Sequence, residues 1–441
     1  MDQGSSLLLG IEGLQVLDVR LDADGRRVAQ VVTDPELAGW CPQCGEQSSS
    51  PKGWVTTRPR DVTIGPDVPI LLWRKQKWRC KVVWCERKSF TESLPGIPAR
   101  SRLTARLRQR AAEAIGEHTR SVSDVAGEYG ITWPIAHRAF VAYAELMIPV
   151  AGPPPAVTVL GIDETRRGKG RYEIATDTGV KVWIDRFDTG LVDISGPGGL
   201  FAQVNGRSSK TVIEWIEAQT DAWRAGITHV AIDTSATYAK VVREALPHAI
   251  VILDRFHLVA LANRAVTDYR RELAWTNRGR RGRKVDPEWA QRNRLLRAGE
   301  TLTAAERVKM FQAMKAADPT GGLHNCWRAK ELLRHLLKLA GTEPDWAQVW
   351  QRLTDFQMFC ADHIDIRQIR RLAQTVDDWR SSIIEGIFTG VSNGRSEGYN
   401  RIVKHIGRIA FGFRNPANQK RRIRFACTRA SRRAATTLKP C

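Results

Sequence analysis

Val159-Leu-Gly-Ile-Asp163-Glu164 is a mostly apolar run that ends in carboxylates, and Val230-Ala-Ile-Asp233-Thr-Ser235 repeats the arrangement 70 residues later. Apolar runs of this length, without alternation, predict strands buried on both faces of a sheet. Working outward from the first run, strands are expected over 157–162, 171–176 and 180–187, the last two joined by the turn Asp177-Thr-Gly179. A helix over 208–225, a strand over 227–232, a helix over 236–246, a strand over 249–253 and a long helix from Phe256 follow. Three antiparallel strands and then alternating helices and strands are the element order of an RNase H-like domain. In that order the first and fourth strands are neighbours, so Asp163 and Asp233 meet across the sheet.

A third carboxylate lies in Ser392-Asn-Gly-Arg-Ser-Glu397-Gly-Tyr-Asn400, which reads as the start of a helix. Acids on three separate elements suit a two-metal phosphoryl-transfer site, in which two Mg²⁺ (or Mn²⁺) ions about 4 Å apart stabilise the attacking and leaving oxygens. Such hard cations take oxygen ligands and need few protein carboxylates. Each acid also has a plainer reading: Asp163 as a strand-end acid, Asp233 as a helix cap, Glu397 as a helix-surface residue. Thr234 and Ser235 can cap in place of Asp233. Glu164 is a second choice, because adjacent strand residues point to opposite faces. Asp254, in Leu253-Asp-Arg-Phe-His257, is another; it orients His257, lines the rim of the site or caps the next helix.

The composition points to a polyanion as partner. The chain has 441 residues, 68 Lys or Arg against 47 Asp or Glu, and a formal charge of +21. Lys and Arg neutralise phosphates and release their counterions. With 42% hydrophobic residues the chain can bury real cores and is not a disordered polyelectrolyte. Its longest apolar runs are strand-sized and far below the ~20 residues of a membrane span. Met1-Asp-Gln-Gly-Ser-Ser lacks the basic region of a signal peptide, so a cytoplasmic protein is expected.

Cys41-Pro-Gln-Cys44 and Cys80-Lys-Val-Val-Trp-Cys85 are two close pairs 35 residues apart, the pattern of a four-thiolate structural zinc site. Cys326, Cys360, Cys427 and Cys441 are scattered and read as core filler or free thiols. Between Trp54 and Phe90, Trp73, Trp78 and Trp84 interleave with Arg and Lys. That stretch suits a nucleic-acid surface and a small core equally well. Ser121 to Gly130 reads as a capped helix ending in a glycine turn, and Thr132-Trp-Pro opens a second helix. The pair predicts a helix-turn-helix, with Thr132, His137 and Arg138 toward DNA.

Ala151-Gly-Pro-Pro-Pro155 marks the clearest domain boundary. The expected organisation is a small zinc-binding β domain over 1–95 and a helix-turn-helix domain over 96–150. The catalytic core follows over 151–274, then an all-α insertion over 275–385, and the rest of the core with its basic tail over 386–441. That tail, from Gly398 to Cys441, holds twelve Lys or Arg and no acid, which suits contact with a phosphate backbone.

Taken together, these motifs resemble the ISL-type group of bacterial insertion-sequence transposases, a DDE group. The resemblance runs through Cys-Pro-Gln-Cys-Gly45, Arg79-Cys80 to Cys85 and on to Phe90-Thr-Glu. It continues through the helix-turn-helix, Gly161-Ile-Asp-Glu, Asp233 with Tyr238, and Asp254-Arg-Phe-His257. It ends in Ser392-Asn393, Glu397, Asn400, Lys404 and Gly412-Phe-Arg-Asn415. It implies a triad of Asp163, Asp233 and Glu397, with cleavage at terminal inverted repeats of double-stranded DNA and joining to a target. Asn393, Arg395, Asn400 and Lys404 would hold DNA beside Glu397, with Arg408 and Arg414 in the basic tail. A dimer or larger assembly on DNA is expected. Two departures from the pattern are the long Cys80–Cys85 spacer and the absence of a histidine shortly after Cys44. Two other readings stand beside this one: a DNA-binding regulator derived from a transposase, and a metal-dependent nuclease without strand transfer.

Overall fold

The computed structural model describes residues 3–65, 68–148, 152–429 and 431–432; Cys441 and the end of the basic tail lie outside them. The chain forms two compact units. One comprises the residues up to Gly152 together with His405–Ala426, and the other Pro153–Lys404 with the residues from Cys427.

In the first unit a short helix, α1 (Gln3–Leu9), precedes a five-stranded sheet. Strand β1 (Leu14–Leu21) runs antiparallel to β2 (Arg27–Thr33), across a turn in which Gly25 takes φ +74°. β2 lies parallel to β4 (Ile70–Arg79), and β4 pairs antiparallel with β3 (Pro51–Thr57) and β5 (Ser89–Thr91). The tryptophans divide by burial. Trp73 is fully buried in the sheet core with Val31 and Leu71, whereas Trp54 and Trp84 are exposed. Three helices follow: α2 (Ala105–Gly116), α3 (Val122–Glu128) and α4 (Trp133–Met147). The Thr104 and Ser121 hydroxyls accept from the backbone N–H of Leu107 and Asp124, which fixes the first two starts. Gly130, at φ +57°, makes the turn between α3 and α4. Thr132 sits at the start of α4 with extended backbone, but its hydroxyl makes no capping bond.

The closing helix, Pro416–Cys427, belongs largely to this unit. Phe425 enters the helical core with its ring 5.5 Å from that of Phe140, and Arg421 pairs with Glu145 at 3.2 Å. This corrects the assignment of all of 386–441 to the catalytic core. A basic helix whose large apolar residues are only Ile423 and Phe425 gave no sign of where they would be buried.

The second unit is built on the sheet β10-β9-β6-β11-β12. Its strands are β6 (Val159–Arg166), β9 (Phe187–Asp193), β10 (Leu200–Asn205), β11 (His229–Ile232) and β12 (Ile250–Leu253). β10, β9 and β6 are antiparallel neighbours, and β11 lies parallel to both β6 and β12. The expected second and third strands are in fact a separate hairpin, β7 (Arg171–Ile174) with β8 (Lys181–Ile184), whose positions are almost all exposed. The strands that fill those places, β9 and β10, look polar in sequence because β9 buries acids. Asp188 pairs with Arg167 at 2.9 Å, and the Asp193 carboxylate accepts from Gly196 and Gly198 N–H at 2.8 Å each.

Between the strands lie α5 (Ser209–Glu217), α6 (Asp221–Ala225) and α7 (Ala236–Ala245). After β12 no strand occurs among the described residues. The helices there are α8 (Arg255–Arg278), α9 (Pro287–Ala290), α10 (Arg292–Leu296), α11 (Ala304–Ala317) and α12 (Gly322–Leu337). They continue as α13 (Trp346–Asp362), α14 (Arg367–Asp378), α15 (Arg380–Thr389), α16 (Gly394–Ile409) and the closing helix, α17. Sheet residues such as Leu160 and Ile232 share one buried cluster with Leu333, Phe356 and Ile387 of these helices. No described helix is long and apolar enough to cross a membrane.

Candidate active site

β11 pairs with β6 through His229–Val159, Val230–Leu160 and Ala231–Gly161. Asp163 follows two residues after the last of these pairs on β6, and Asp233 follows two residues after it, just past the end of β11. Both carboxyls are half-buried. Burial raises the proton affinity of Asp163, and the charges of Asp233 and Glu164 add to it, against a bond from the Glu164 N–H and the pull of His257; the result is a pKa of about 6. Burial and Glu164 likewise raise Asp233, opposed by His257 and by the Ser235 N–H donated at 3.0 Å.

His257, in the first turn of α8, lies near enough for its charge to act on both acids. Its Nδ1 lies 2.9 Å from Asp254 Oδ2, and that bond raises its pKa against the effect of burial, helped by the charges of Asp254, Asp233 and Asp163. Asp254 itself is buried, so it serves to hold the imidazole. Glu164, whose charge reaches both acids, accepts from Tyr238 Oη at 3.0 Å, and Arg207 lies 3.9 Å away.

The motif at the start of α16 is turned into the protein. Asn393 is buried and its Nδ2 donates to the Ile162 carbonyl at 3.2 Å. Arg395 Nη1 donates to the carbonyls of Ile194 (2.8 Å) and Gly196 (2.6 Å). Asn400 Nδ2 donates to Asp163 Oδ2 at 2.7 Å, and its Oδ1 accepts from the Thr165 hydroxyl. Of these three residues expected at DNA, Asn393 and Asn400 fasten the helix to the strand of Asp163, and Arg395 fastens it to the loop that follows β9. Gly161 allows the approach: a Cβ there would lie 2.5 Å from Ser396 Oγ and 2.8 Å from Asn393 Oδ1. A glycine inside an apolar strand run was the visible signal of that contact; the partner helix was not visible.

Glu397 stands one turn before Asn400, half-exposed, with Arg401 3.7 Å away. Its spacing of three residues from Asn400 places it on the same side of α16. Among the described residues the three acids do not form a cluster with all oxygens within 4.8 Å of one another. Lys404 and Arg408 are exposed on α16.

The helix-turn-helix residues divide. Thr132 and Arg138 are exposed, with Arg138 Nε donating to the Pro134 carbonyl at 3.3 Å. His137 stacks on Trp133 at 4.8 Å, and burial, then the charges of Arg421 and Arg422, lower its pKa. Trp133 and His137 line a cleft of about 760 Å³ with Arg414, Asn415 and Asn418. Arg414 therefore belongs with this helix pair in the first unit.

Cys41, Cys44, Cys80 and Cys85 bring four sulfurs within 4.8 Å of one another. Cys41–Cys85 and Cys44–Cys80 are 3.9 and 3.7 Å apart. A tetrahedron with zinc–sulfur bonds of about 2.3 Å has edges of about 3.8 Å, so the set fits structural zinc despite its long second spacer. Burial pushes the Cys41 thiol up, but backbone N–H groups of Cys44 and Gln43 bring it down to about 7.

Three family models match the chain. One described as a transposase, of the ISL3 group, covers residues 160–423. One described as the zinc-finger of transposases IS204/IS1001/IS1096/IS1165 covers 38–85, and one for the helix-turn-helix domain of transposase family ISL3 covers 92–144. The transposase for insertion sequence element IS1557 of Mycobacterium tuberculosis is 30% identical over 252 residues, 52% of this chain and 54% of that protein. The chain thus matches about half the length of that relative. The transposase for insertion sequence element IS1001 of Bordetella parapertussis is 24% identical over 415 residues, 92% of this chain and 93% of the other.

Proposed function

The chain belongs to the ISL3 family of transposases, and from that premise we propose that it cuts double-stranded DNA at the ends of an insertion sequence and joins them to a target through Asp163, Asp233 and Glu397. The observation that carries this reading is that Asp163 near the end of β6 and Asp233 just past the end of its neighbour β11 are both half-buried, with the charge of Asp233 raising the proton affinity of Asp163. The strand order β10-β9-β6-β11-β12 supports an RNase H-like core, and the run of helices from Arg255 to Thr389 supports an all-α insertion before the glutamate helix.

Asp163, Asp233 and Glu397 offer only anionic oxygens, a donor set that suits Mg²⁺ or Mn²⁺. Bound there, the ions would stabilise charge on the attacking and leaving oxygens of a phosphodiester. The chain's own residues prepare the site. Asn400 holds one oxygen of Asp163, and the Thr165 hydroxyl on its carbonyl keeps the amide from turning over. Asn393 and Arg395 hold the start of α16, and with it Glu397, against the sheet. His257, braced by Asp254, would balance the acid pair and could donate to a phosphate oxygen. Thr132, Arg138 and the cleft lined by His137 and Arg414 would take the element's ends, with Lys404 and Arg408 on the backbone near Glu397.

The test is cleavage and joining by purified protein with Mg²⁺ and DNA carrying the element's own ends. Asp163→Asn, Asp233→Asn and Glu397→Gln should each lower end cleavage at least about 1,000-fold, with DNA binding retained. Cleavage by any of the three at the parent rate would remove that residue from the triad. A precut 3′-hydroxyl end offered with a plasmid should yield joined product; a nuclease without strand transfer would yield none.

A further inference from the structure

The hairpin of β7 and β8 is absorbed by none of these roles. It forms a two-stranded sheet of its own, between the strand that carries Asp163 and its neighbour β9. Its stem closes where Arg166 pairs with Phe187, three residues or about 10 Å along the strand from Asp163. Tyr172 stands opposite Trp183 and Ile174 opposite Lys181, so these four side chains share one face. That face is apolar and open: Tyr172 is 60%, Ile174 71% and Trp183 53% exposed. The two rings meet edge to face at 5.0 Å, and the Lys181 ammonium lies 5.1 Å from the Tyr172 ring.

Folding alone does not account for such a face. An isolated two-stranded hairpin is marginally stable in water, and exposed aromatics on it bury little. The surrounding charge selects the occupant. Between Arg166 and Arg186 there are six Lys or Arg against three Asp or Glu, which disfavours a second copy of this basic chain and favours a polyanion. Phosphates alone leave aromatic faces unused, and paired bases have theirs covered. Unpaired bases have both a charged backbone and free faces, and aromatic side chains stack on them without regard to sequence.

We propose that the 171–184 hairpin is a stacking platform for unpaired DNA bases beside the Asp163 site, with Tyr172 and Trp183 as the contacting rings and Lys181 on the backbone. The proposal rests on the DNA-processing reading of that site, but it is read out by binding and can fail separately from it. The experiment uses full-length Asp163→Asn protein, a fluorescein-labelled oligothymidylate of about 20 nucleotides and a duplex of the same length. Tyr172→Ala with Trp183→Ala should weaken oligothymidylate binding by roughly ten- to a hundredfold and leave duplex binding nearly unchanged. Trp183→Phe, which keeps a ring, should stay close to the parent. Unchanged oligothymidylate binding by the double variant would overturn the proposal, as would equal loss on both DNAs. Dissociation of a parent dimer by the same substitutions, seen in sedimentation, would overturn it in favour of a self-association face.

Discussion

The cysteine set of the first unit and the acid set of the second differ in how far each is assembled by the chain itself. The four sulfurs stand within 4.8 Å of one another, close to the spacing of a zinc tetrahedron. The acids keep apart. Asp163 lies on β6 and Asp233 just past the end of the neighbouring β11, yet with Glu397 they form no comparably tight group. Thiols are neutral when protonated and can crowd, whereas carboxylates in a half-buried site repel until a cation enters. The difference is the one expected between a closed structural site and the open catalytic one proposed for the acids.

The strongest way to break that contrast is to remove the zinc. Structural zinc in small domains carries an apparent ~10–16 kcal/mol, so Cys80→Ser or a strong chelator should unravel the segment from Cys41 to Phe90. Limited proteolysis would then cut within that segment, while the fragment containing β6 to β12 stays protected. Native mass spectrometry should find one zinc per untreated chain. A chain that purifies without zinc and resists protease would show that the cysteines close on themselves as thiols, and the contrast would fail.

A second test acts on the acid site alone. Gly161→Ala puts a methyl group against Ser396 and Asn393, both short, buried and on the start of α16. Overpacking of this kind typically costs about 1–3 kcal/mol, read as a lower melting temperature. Displacement of α16 should lower cleavage more than stability, because Asn400 and Glu397 move together. Adding Ser396→Gly should recover part of both. Equal activity in Gly161→Ala and the parent would mean that the approach of helix and strand does not set the position of Glu397.

The same contrast explains what was legible in the sequence. Cysteine pairs declare a site through local spacing, and the Asp163 and Asp233 runs declare strands through unbroken apolar residues. Glu397 does neither; its position follows from hydrogen bonds that Asn393, Arg395 and Asn400 make to distant parts of the chain, and as polar residues near an acid these read as DNA ligands. β9 was overlooked for a related reason, since its Asp188 and Asp193 satisfy their charge inside the protein. The exposed hairpin, with alternating apolar residues and a good turn, claimed its place in the sheet. Polar atoms satisfied by distant partners are what a pattern of hydrophobicity does not register. The placement of Phe425 in the helix-turn-helix core was hidden in the same way, by the arginines around it.

The smallest expected effect sharpens the description of the acid site as open and charged against itself. Glu164 on the same strand, Asp233 beside β11 and His257 on α8 are the titratable groups that act on Asp163. With its pKa raised from 3.8 to about 6, folded protein holds a proton on Asp163 over a range where unfolded protein has released it. Stability from this group is therefore present below about pH 4 and is lost as pH rises through about 6. At full strength the shift corresponds to about 3 kcal/mol, which solvent screening at a half-exposed carboxyl reduces to about 1–2 kcal/mol. Asp163→Asn cannot titrate, so between pH 4 and 7 the variant should gain that amount relative to the parent when no Mg²⁺ is present. Addition of Mg²⁺ at pH 7 should erase most of the difference, because a cation bound to the ionised parent restores what deprotonation removed. A difference that stays flat with pH in denaturation curves would mean that Asp163 is solvated like an ordinary surface acid, and the acid site would not be held against its own charge.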